Sequence, residues 1–190
     1  MARALGDADD LNAWFNLDAT LGARLYARTA SFCTERSGYF DGFDQGLAFF
    51  NATAASTSSG YWMQPVGYVH AMLTATWADQ ALNITYNTSP GSHPTVSISS
   101  QKTTDGKSLW VRIVNTGGAQ ASATVRIANA PAFGSTATVW TLSAPTGGPS
   151  SNPPTNPTAI SPVRATAPWA NGLTWNVTAS SIVFIGLTAA

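Results

Sequence analysis

Residues 61–77, YWMQPVGYVHAMLTATW, divide the chain into a helical N-terminal part and a C-terminal part dominated by strand patterns. A proline is tolerated in the first turn of a helix, because its missing N–H has no partner to lose there. The stretch therefore predicts a helix that begins near Gln64 and ends near Trp77. Its large apolar side chains are spaced as one stripe along a helix: Trp62, Val66, Val69, Leu73 and Trp77.

Two further elements are predicted upstream of this helix. Asp10 to about Thr29 carries leucines and aromatic residues at helical spacing and predicts a helix. Residues 46–50, GLAFF, form a short apolar run that is typical of a buried strand. Residues 30–44 and 51–60 are polar or glycine-containing and predict loops. Helix, strand and helix in this order are typical of an α/β layer.

The chain from residue 82 onward alternates apolar and polar residues and predicts seven or eight short strands. Residues 144–158 are rich in proline and glycine, which excludes regular structure there. Residues 182–187, IVFIGL, are apolar on both faces, so this strand is expected at the centre of a sheet. The pattern predicts an antiparallel β-sandwich. The predicted strands are residues 82–86, 95–99, 109–115, 123–127, 136–142, 173–177 and 182–187.

The composition limits the classes of protein to which the chain can belong. The 190 residues are 44% hydrophobic, 9% charged and have a formal net charge of zero. Nucleic acids and anionic membrane surfaces both attract a basic excess, which this chain lacks, so neither is an expected partner. The chain also has no run of 18 apolar residues, so no transmembrane helix is predicted.

Four N-x-S/T sequons and a low charge content suggest a glycoprotein that is secreted or resides in the secretory-pathway lumen. No signal peptide is present at Met1, which suggests that the N-terminus of a longer protein is missing. The candidate glycosylation sites are Asn51, Asn83, Asn87 and Asn176.

Few residues of the chain are candidates for acid–base catalysis. Glu35 is the only glutamate, and Asp41 and Asp44 follow it in a predicted loop. A glycosidase needs two facing carboxylates, about 5–5.5 Å apart for retention of configuration. Glu35 with Asp41 or Asp44 would form a small hydrolase site if the carboxyls converged in a cleft and one pKa were raised. Solvated loop charges and turn formers are the favoured interpretation.

Nucleophiles and metal ligands are equally scarce. The only cysteine, Cys33, and one of two histidines, His70, would form a nucleophile–base pair only if the fold joined them. A lone cysteine is more often simply packed. His93 lies in a predicted turn, and no metal-ligand spacing includes either histidine, so no metal and no cofactor are expected. The seven tryptophans could stack on sugars, although most are expected in the core.

Two C-terminal segments resemble a known family. LWVRIVN (109–115) and NPPTNPTAISPV (152–163) are similar to motifs in the C-terminal β-domain of α-L-arabinofuranosidases of glycoside hydrolase family 51. A last apolar strand, here residues 181–187, closes the sandwich in that family. Upstream, ASF (30–32) resembles the last strand of the family's barrel. LAFFN (47–51) and GYWMQ (60–64) resemble the segment that leads into its last barrel helix.

The resemblance implies a mainly β fold, an antiparallel β-sandwich in residues 81–190. It would be preceded in residues 1–80 by a helix–strand–helix remnant of a (β/α)8 barrel. It also implies retaining hydrolysis of terminal arabinofuranosyl groups by two glutamates on earlier barrel strands. No position here matches either glutamate, so the chain is not expected to be active alone. The missing barrel portion and carbohydrate are the implied partners.

The resemblance also points to one candidate substrate contact. The end of the last barrel strand faces the active-site side of such a fold. The implied contact residues are Ser31, Phe32, Cys33 and Thr34. The following loop, Thr34–Asp44, departs from the family pattern.

A different class of function stays open, a stand-alone carbohydrate-binding or structural β-sandwich. It predicts a row of exposed tryptophans on one sheet face. The fragment hypothesis instead predicts a broad apolar patch on the first 60 residues, where barrel strands are absent.

Overall fold

The computed structural model describes residues 1–21, 48–50, 61–85, 95–129, 132–153 and 155–190. Two helices and ten strands are present among them. Neither helix has the length and apolarity needed to cross a membrane. The helices are α1 (Ala2–Leu21) and α2 (Pro65–Ala75). The strands are β1 (Ala48–Phe50), β2 (Tyr61–Met63), β3 (Gln80–Leu82), β4 (Val96–Lys102), β5 (Ser108–Asn115), β6 (Ala121–Thr124), β7 (Thr136–Ser143), β8 (Val163–Pro168), β9 (Thr174–Val177) and β10 (Ser181–Thr188).

One antiparallel sheet of six strands organises the described residues, in the order β3-β4-β5-β10-β7-β8. A second antiparallel sheet contains β6 and β9, and β1 pairs with β2. The mainly β, antiparallel architecture predicted from the sequence is therefore confirmed. The division into domains 1–80 and 81–190 stays a prediction.

Strand β10 lies inside the sheet between β5 and β7, as its two-sided apolar sequence predicted. Ile182 and Phe184 point to the layer of helices and belong to one hydrophobic core, called here the helix-side core. Val183 and Ile185 point to the other face and belong to a second core, beside β6 and β9. Burial of both faces explains why no polar residue interrupts IVFIGL.

Helix α2 begins at Pro65 with Gln64 as its N-cap, as predicted. Val66, Val69 and Met72 are buried and Leu73 is partly buried against the same core, but Trp77 does not continue the stripe. The prediction for Trp77 was wrong, since its side chain is 47% exposed. Helix α2 ends at Ala75, so Trp77 no longer follows the helical period.

Helix α1 begins earlier than predicted, at Ala2 instead of Asp10. Ala4, Leu5 and Ala8 pack into the helix-side core and hold these first turns on the sheet. The predicted continuation of this helix to Thr29 lies outside the described residues. The alanines of this contact were missed because alanine contributes little to an apolar stripe.

Strand β8 was not predicted from the sequence. Almost all of Val163–Pro168 is exposed, so neither face carries an apolar alternation. Its hydrogen bonds to β7 define it, with Trp140 paired to Arg164 and Thr138 to Thr166. Edge strands formed by pairing alone leave little signal in the sequence.

Gly186 is the position in β10 where a side chain has no room. A Cβ there would lie 2.4–2.8 Å from three ring atoms of Trp110 on the neighbouring strand. Trp110 packs against the helix-side core, so its ring cannot move freely. Glycine in β10 is therefore required by the indole that covers it.

We expect Gly186→Ala to lower the free energy of unfolding by about 1–3 kcal/mol, the usual cost of overpacking. This loss exceeds the gain of about 0.4–1 kcal/mol that alanine brings by restricting the unfolded chain. Chemical denaturation measures the difference. Gly118→Ala is the matched control, because a Cβ at Gly118 would meet no atom within 4 Å. Equal stability of the two variants would contradict the steric argument.

Candidate functional site

The sugar contacts expected from the sequence, Ser31, Phe32, Cys33 and Thr34, lie outside the described residues. The alternative hydrolase carboxyls Glu35, Asp41 and Asp44 lie outside them too. Within the described part of the chain, no group of three or more His, Cys, Asp or Glu side chains could hold a metal ion. The arrangement of functional groups is therefore built from what the helices and the sheet bring together.

His70 lies off the buried stripe of α2, as predicted, and contacts α1. Its Nε2 lies 3.6 Å from Oδ2 of Asp7, and Asp7 is almost fully buried. The contact joins the two helices across the helix-side layer. Cys33, the nucleophile considered for His70, lies outside the described residues.

Asp105 lies in the exposed hairpin between β4 and β5. Hydrogen bonds from the Thr103 hydroxyl and then from the Lys107 backbone N–H lower the pKa of Asp105. A general acid needs a raised pKa. Asp105 therefore behaves as a turn residue that accepts hydrogen bonds, and it does not resemble a catalytic acid.

Asn152 is a fully buried polar residue in the proline-rich loop. Its Nδ2 donates to the carbonyls of Met63 and Ile160, both at 2.8 Å. Its Oδ1 accepts from the backbone N–H of Ile160 at 2.7 Å. The side chain thus closes its own loop and ties it to the end of β2.

The backbone of Asn152 completes the same junction. Its carbonyl accepts from Trp62 Nε1 at 2.6 Å and from Gln64 Nε2 at 2.7 Å, and its N–H donates to Gln64 Oε1 at 3.0 Å. Gln64 is the N-cap of α2. The proline-rich loop therefore fixes the position where α2 begins.

The other end of α2 is fixed by Arg112 on β5, whose side chain is 1% exposed. Its Nη2 donates to the carbonyl of Thr76, the C-cap of α2, at 2.9 Å. Its guanidinium lies 5.0 Å from the ring centroid of Phe15 and 5.4 Å from that of Phe184. A cation at a helix C-terminus also opposes the negative end of the helix dipole.

The sequence did not single out Arg112 or Asn152. Alternation placed Arg112 on the face of β5 opposite Val111 and Ile113. A sandwich normally exposes that outer face. Helices α1 and α2 cover that face, so the arginine is buried. Asn152 belongs to a segment that resembles the family, and its spacing of eight residues from Ile160 was the only available signal.

The tryptophans lie mainly in the cores. The exposed ones are Trp14 on α1 and Trp77 after α2, each 47% exposed. Trp110 and Trp140 are half-buried on the helix-side face of the sheet. Two of the four candidate glycosylation sites, Asn83 and Asn176, are described and exposed. Asn51 and Asn87 lie outside the described residues.

No protein-family model and no curated protein sequence matches this chain. Solved structures do match its fold. An arabinose-bound family 51 α-L-arabinofuranosidase, MgGH51, is 23% identical with a TM-score of 0.64, over 76% of this chain and 21% of that one. The arabinose complex of α-L-arabinofuranosidase from Thermotoga maritima is 17% identical with a TM-score of 0.61, over 76% and 32%.

The family 51 arabinofuranosidase from Xanthomonas axonopodis pv. citri is 22% identical with a TM-score of 0.53, over 76% of this chain and 29% of that one. The described residues therefore have the fold of the C-terminal β-domain of these enzymes, as the sequence resemblance implied. The chain spans about a fifth to a third of the length of the structures that it matches.

Proposed function

We propose that this chain is the C-terminal part of an α-L-arabinofuranosidase-like glycoside hydrolase. When complete, the enzyme would remove terminal arabinofuranosyl groups from polysaccharides or glycoconjugates. The observation that carries the proposal is the match in fold, over 76% of this chain, to family 51 arabinofuranosidases solved with arabinose. The residues that would perform the hydrolysis belong to a barrel portion that is not in this chain.

The role that the geometry supports for this part is to hold the helix that the resemblance identifies as the last barrel helix. The start of α2 is held by the hydrogen bond from Gln64 to Asn152. Its end is held by the hydrogen bond from Arg112 to the carbonyl of Thr76. Between them, Val69 and Met72 are fully buried in the helix-side core. The sheet therefore provides a rigid support for α2, and a barrel continuous with α2 would be fixed in orientation by it.

Exposed apolar side chains on the surface of the helix layer support the proposal that another protein portion binds there. Trp14 and Leu17 lie one helical turn apart on α1 and are 47% and 44% exposed. Trp77, after α2, is also exposed, and its ring centroid lies 6.0 Å from that of Phe15 on α1. Exposed large apolar side chains that lie together mark surfaces that bind other protein elements. The barrel portion is the partner that we propose for this surface.

Retaining hydrolysis needs two carboxylates about 5–5.5 Å apart. The chain has a single glutamate, Glu35, so it cannot supply the pair of glutamates that the resemblance implies. We therefore expect the chain on its own to release no arabinose. Secretion, or residence in the secretory-pathway lumen, is proposed from the four sequons and the low charge.

The mass of the native protein tests the proposal. An antibody against residues 81–190 would detect the protein in its source after enzymatic removal of N-glycans, with the 19.8 kDa recombinant chain as the size standard. We expect a band several times heavier than the standard. The same antibody should precipitate activity that cleaves a chromogenic α-L-arabinofuranoside. A single band near the standard, with no precipitated activity, would overturn the proposal.

The alternative of a stand-alone carbohydrate-binding module predicted a row of exposed tryptophans on one sheet face. All seven tryptophans lie in the described residues, and the two exposed ones are outside the strands. No observation therefore favours this alternative over the proposed hydrolase part.

A further inference from the structure

A cleft of about 270 Å³ opens between the outer strands of the six-stranded sheet and the segment that follows β6. Only described residues line it. Apolar side chains of the six-stranded sheet and of the segment after β6 make up most of its wall, so it exposes part of the second hydrophobic core. These residues include Leu82, Ile98, Val111, Val125 and Ile127.

Two of the polar side chains that line the cleft are engaged within the protein. The Ser100 hydroxyl donates to the carbonyl of Trp110 at 3.0 Å. The Thr124 hydroxyl is paired with that of Thr174 at 2.7 Å. Arg126 also lines the cleft and is exposed, so an occupant would meet a charged side chain beside the apolar wall.

One side of the cleft is a glycosylation sequon. Asn83, Ile84 and Thr85 all line the cleft, and the side chains of Asn83 and Thr85 are exposed. The sequon follows directly after β3, so its position relative to the cleft is set by the sheet. A sugar attached to Asn83 would start at the edge of the apolar wall.

We propose that Asn83 carries an N-linked glycan whose first N-acetylglucosamine packs into this cleft and covers the exposed part of the core. The donor is an oligosaccharide on a polyprenyl diphosphate. The bond from the sugar C1 to the diphosphate oxygen breaks, a bond from C1 to Asn83 Nδ2 forms, and Nδ2 loses one proton. The polyprenyl diphosphate is the leaving group, and no oxidation or reduction occurs.

The size of the cleft decides how much of the glycan it holds. Pockets for whole ligands usually exceed about 300 Å³. A cleft of about 270 Å³ therefore suits one pyranose ring with its acetamido group rather than an oligosaccharide. The ring's apolar face and the acetamido methyl group would contact the isoleucine and valine side chains, while the outer sugars extend into solvent.

Asn176, the other described sequon asparagine, provides the contrast. It lies on β9, its Oδ1 accepts from the Ser122 hydroxyl at 3.1 Å, and it does not line the cleft. A glycan there would extend from the outer, polar face of the small sheet. It would bury no apolar surface of this cleft.

The test uses the full chain expressed through a eukaryotic secretory pathway. Mass spectrometry of peptides would report occupancy at Asn83 and Asn176. One sample would be trimmed with an endoglycosidase that leaves a single N-acetylglucosamine, and another with an amidase that removes the glycan completely. Thermal unfolding and amide hydrogen exchange would then be compared between the two samples, and between Asn83→Gln and the control Asn176→Gln.

We expect occupancy at Asn83 and an unchanged melting temperature after trimming to one sugar. Complete removal, or Asn83→Gln, should lower the melting temperature by about 2–4 °C and increase exchange in residues 82–85 and 124–128. Asn176→Gln should leave both unchanged. An unmodified Asn83, or identical stability and exchange with one sugar and with none, would overturn the proposal. Neither result bears on arabinofuranosidase activity, so the two proposals fail independently.

Discussion

Asn152→Ala is expected to lower the free energy of unfolding by about 3–5 kcal/mol, the upper range for single substitutions. The change removes three hydrogen bonds made by a fully buried side chain. The carbonyls of Met63 and Ile160 and the N–H of Ile160 would lose this partner, and each buried group left unpaired costs about 1–3 kcal/mol. Urea unfolding followed by tryptophan fluorescence measures the loss.

Two further variants separate the network from simple loss of volume. Asn152→Asp keeps the shape but replaces the donor Nδ2 by an oxygen, which would face two carbonyl oxygens, so we expect a comparable loss. Asn156→Ala is the matched control in the same loop, because Asn156 is exposed and its backbone N–H and carbonyl make the turn hydrogen bonds there. It should change stability by less than about 0.5 kcal/mol. A loss below about 1 kcal/mol for both Asn152 variants would contradict the role of the network.

Arg112→Ala is the second large effect, also expected at about 3–5 kcal/mol. Arg112 is the largest fully buried side chain in the described structure. Its removal leaves a cavity between Phe15 and Phe184 and takes the donor from the carbonyl of Thr76. We expect α2 to fray at its C-terminal end, which hydrogen exchange would report as loss of protection in the last turn.

Arg164→Ala supplies the comparison, because it removes an arginine from an aromatic ring at the surface. The Arg164 guanidinium lies 5.6 Å from the ring centroid of Trp140, and the side chain is exposed. Exposed cation–π contacts contribute about 0.5–1 kcal/mol. Similar losses for Arg112→Ala and Arg164→Ala would mean that burial at Arg112 does not matter, contrary to the structure.

The candidate site shows the limit of sequence patterns. The family resemblance placed a sugar contact at Ser31–Thr34, which lies outside the described residues and stays a prediction. The junction that fixes α2 was not predicted, although Asn152 and Gln64 both fall inside segments that resemble the family. Their partners lie up to 90 residues away in the chain, and no local periodicity connects such positions.

The sequence by itself determined the elements whose signal is local. Pro65 fixed the start of α2, the two-sided apolar run fixed β10 at the centre of the sheet, and alternation located most strands. Only the tertiary structure decided which faces are covered. The helices bury Arg112 on the face of β5 that it shares with Trp110 and Val114, and β8 forms by pairing although its sequence does not alternate. Periodicity records how side chains alternate within an element, whereas burial depends on what distant segments pack against it.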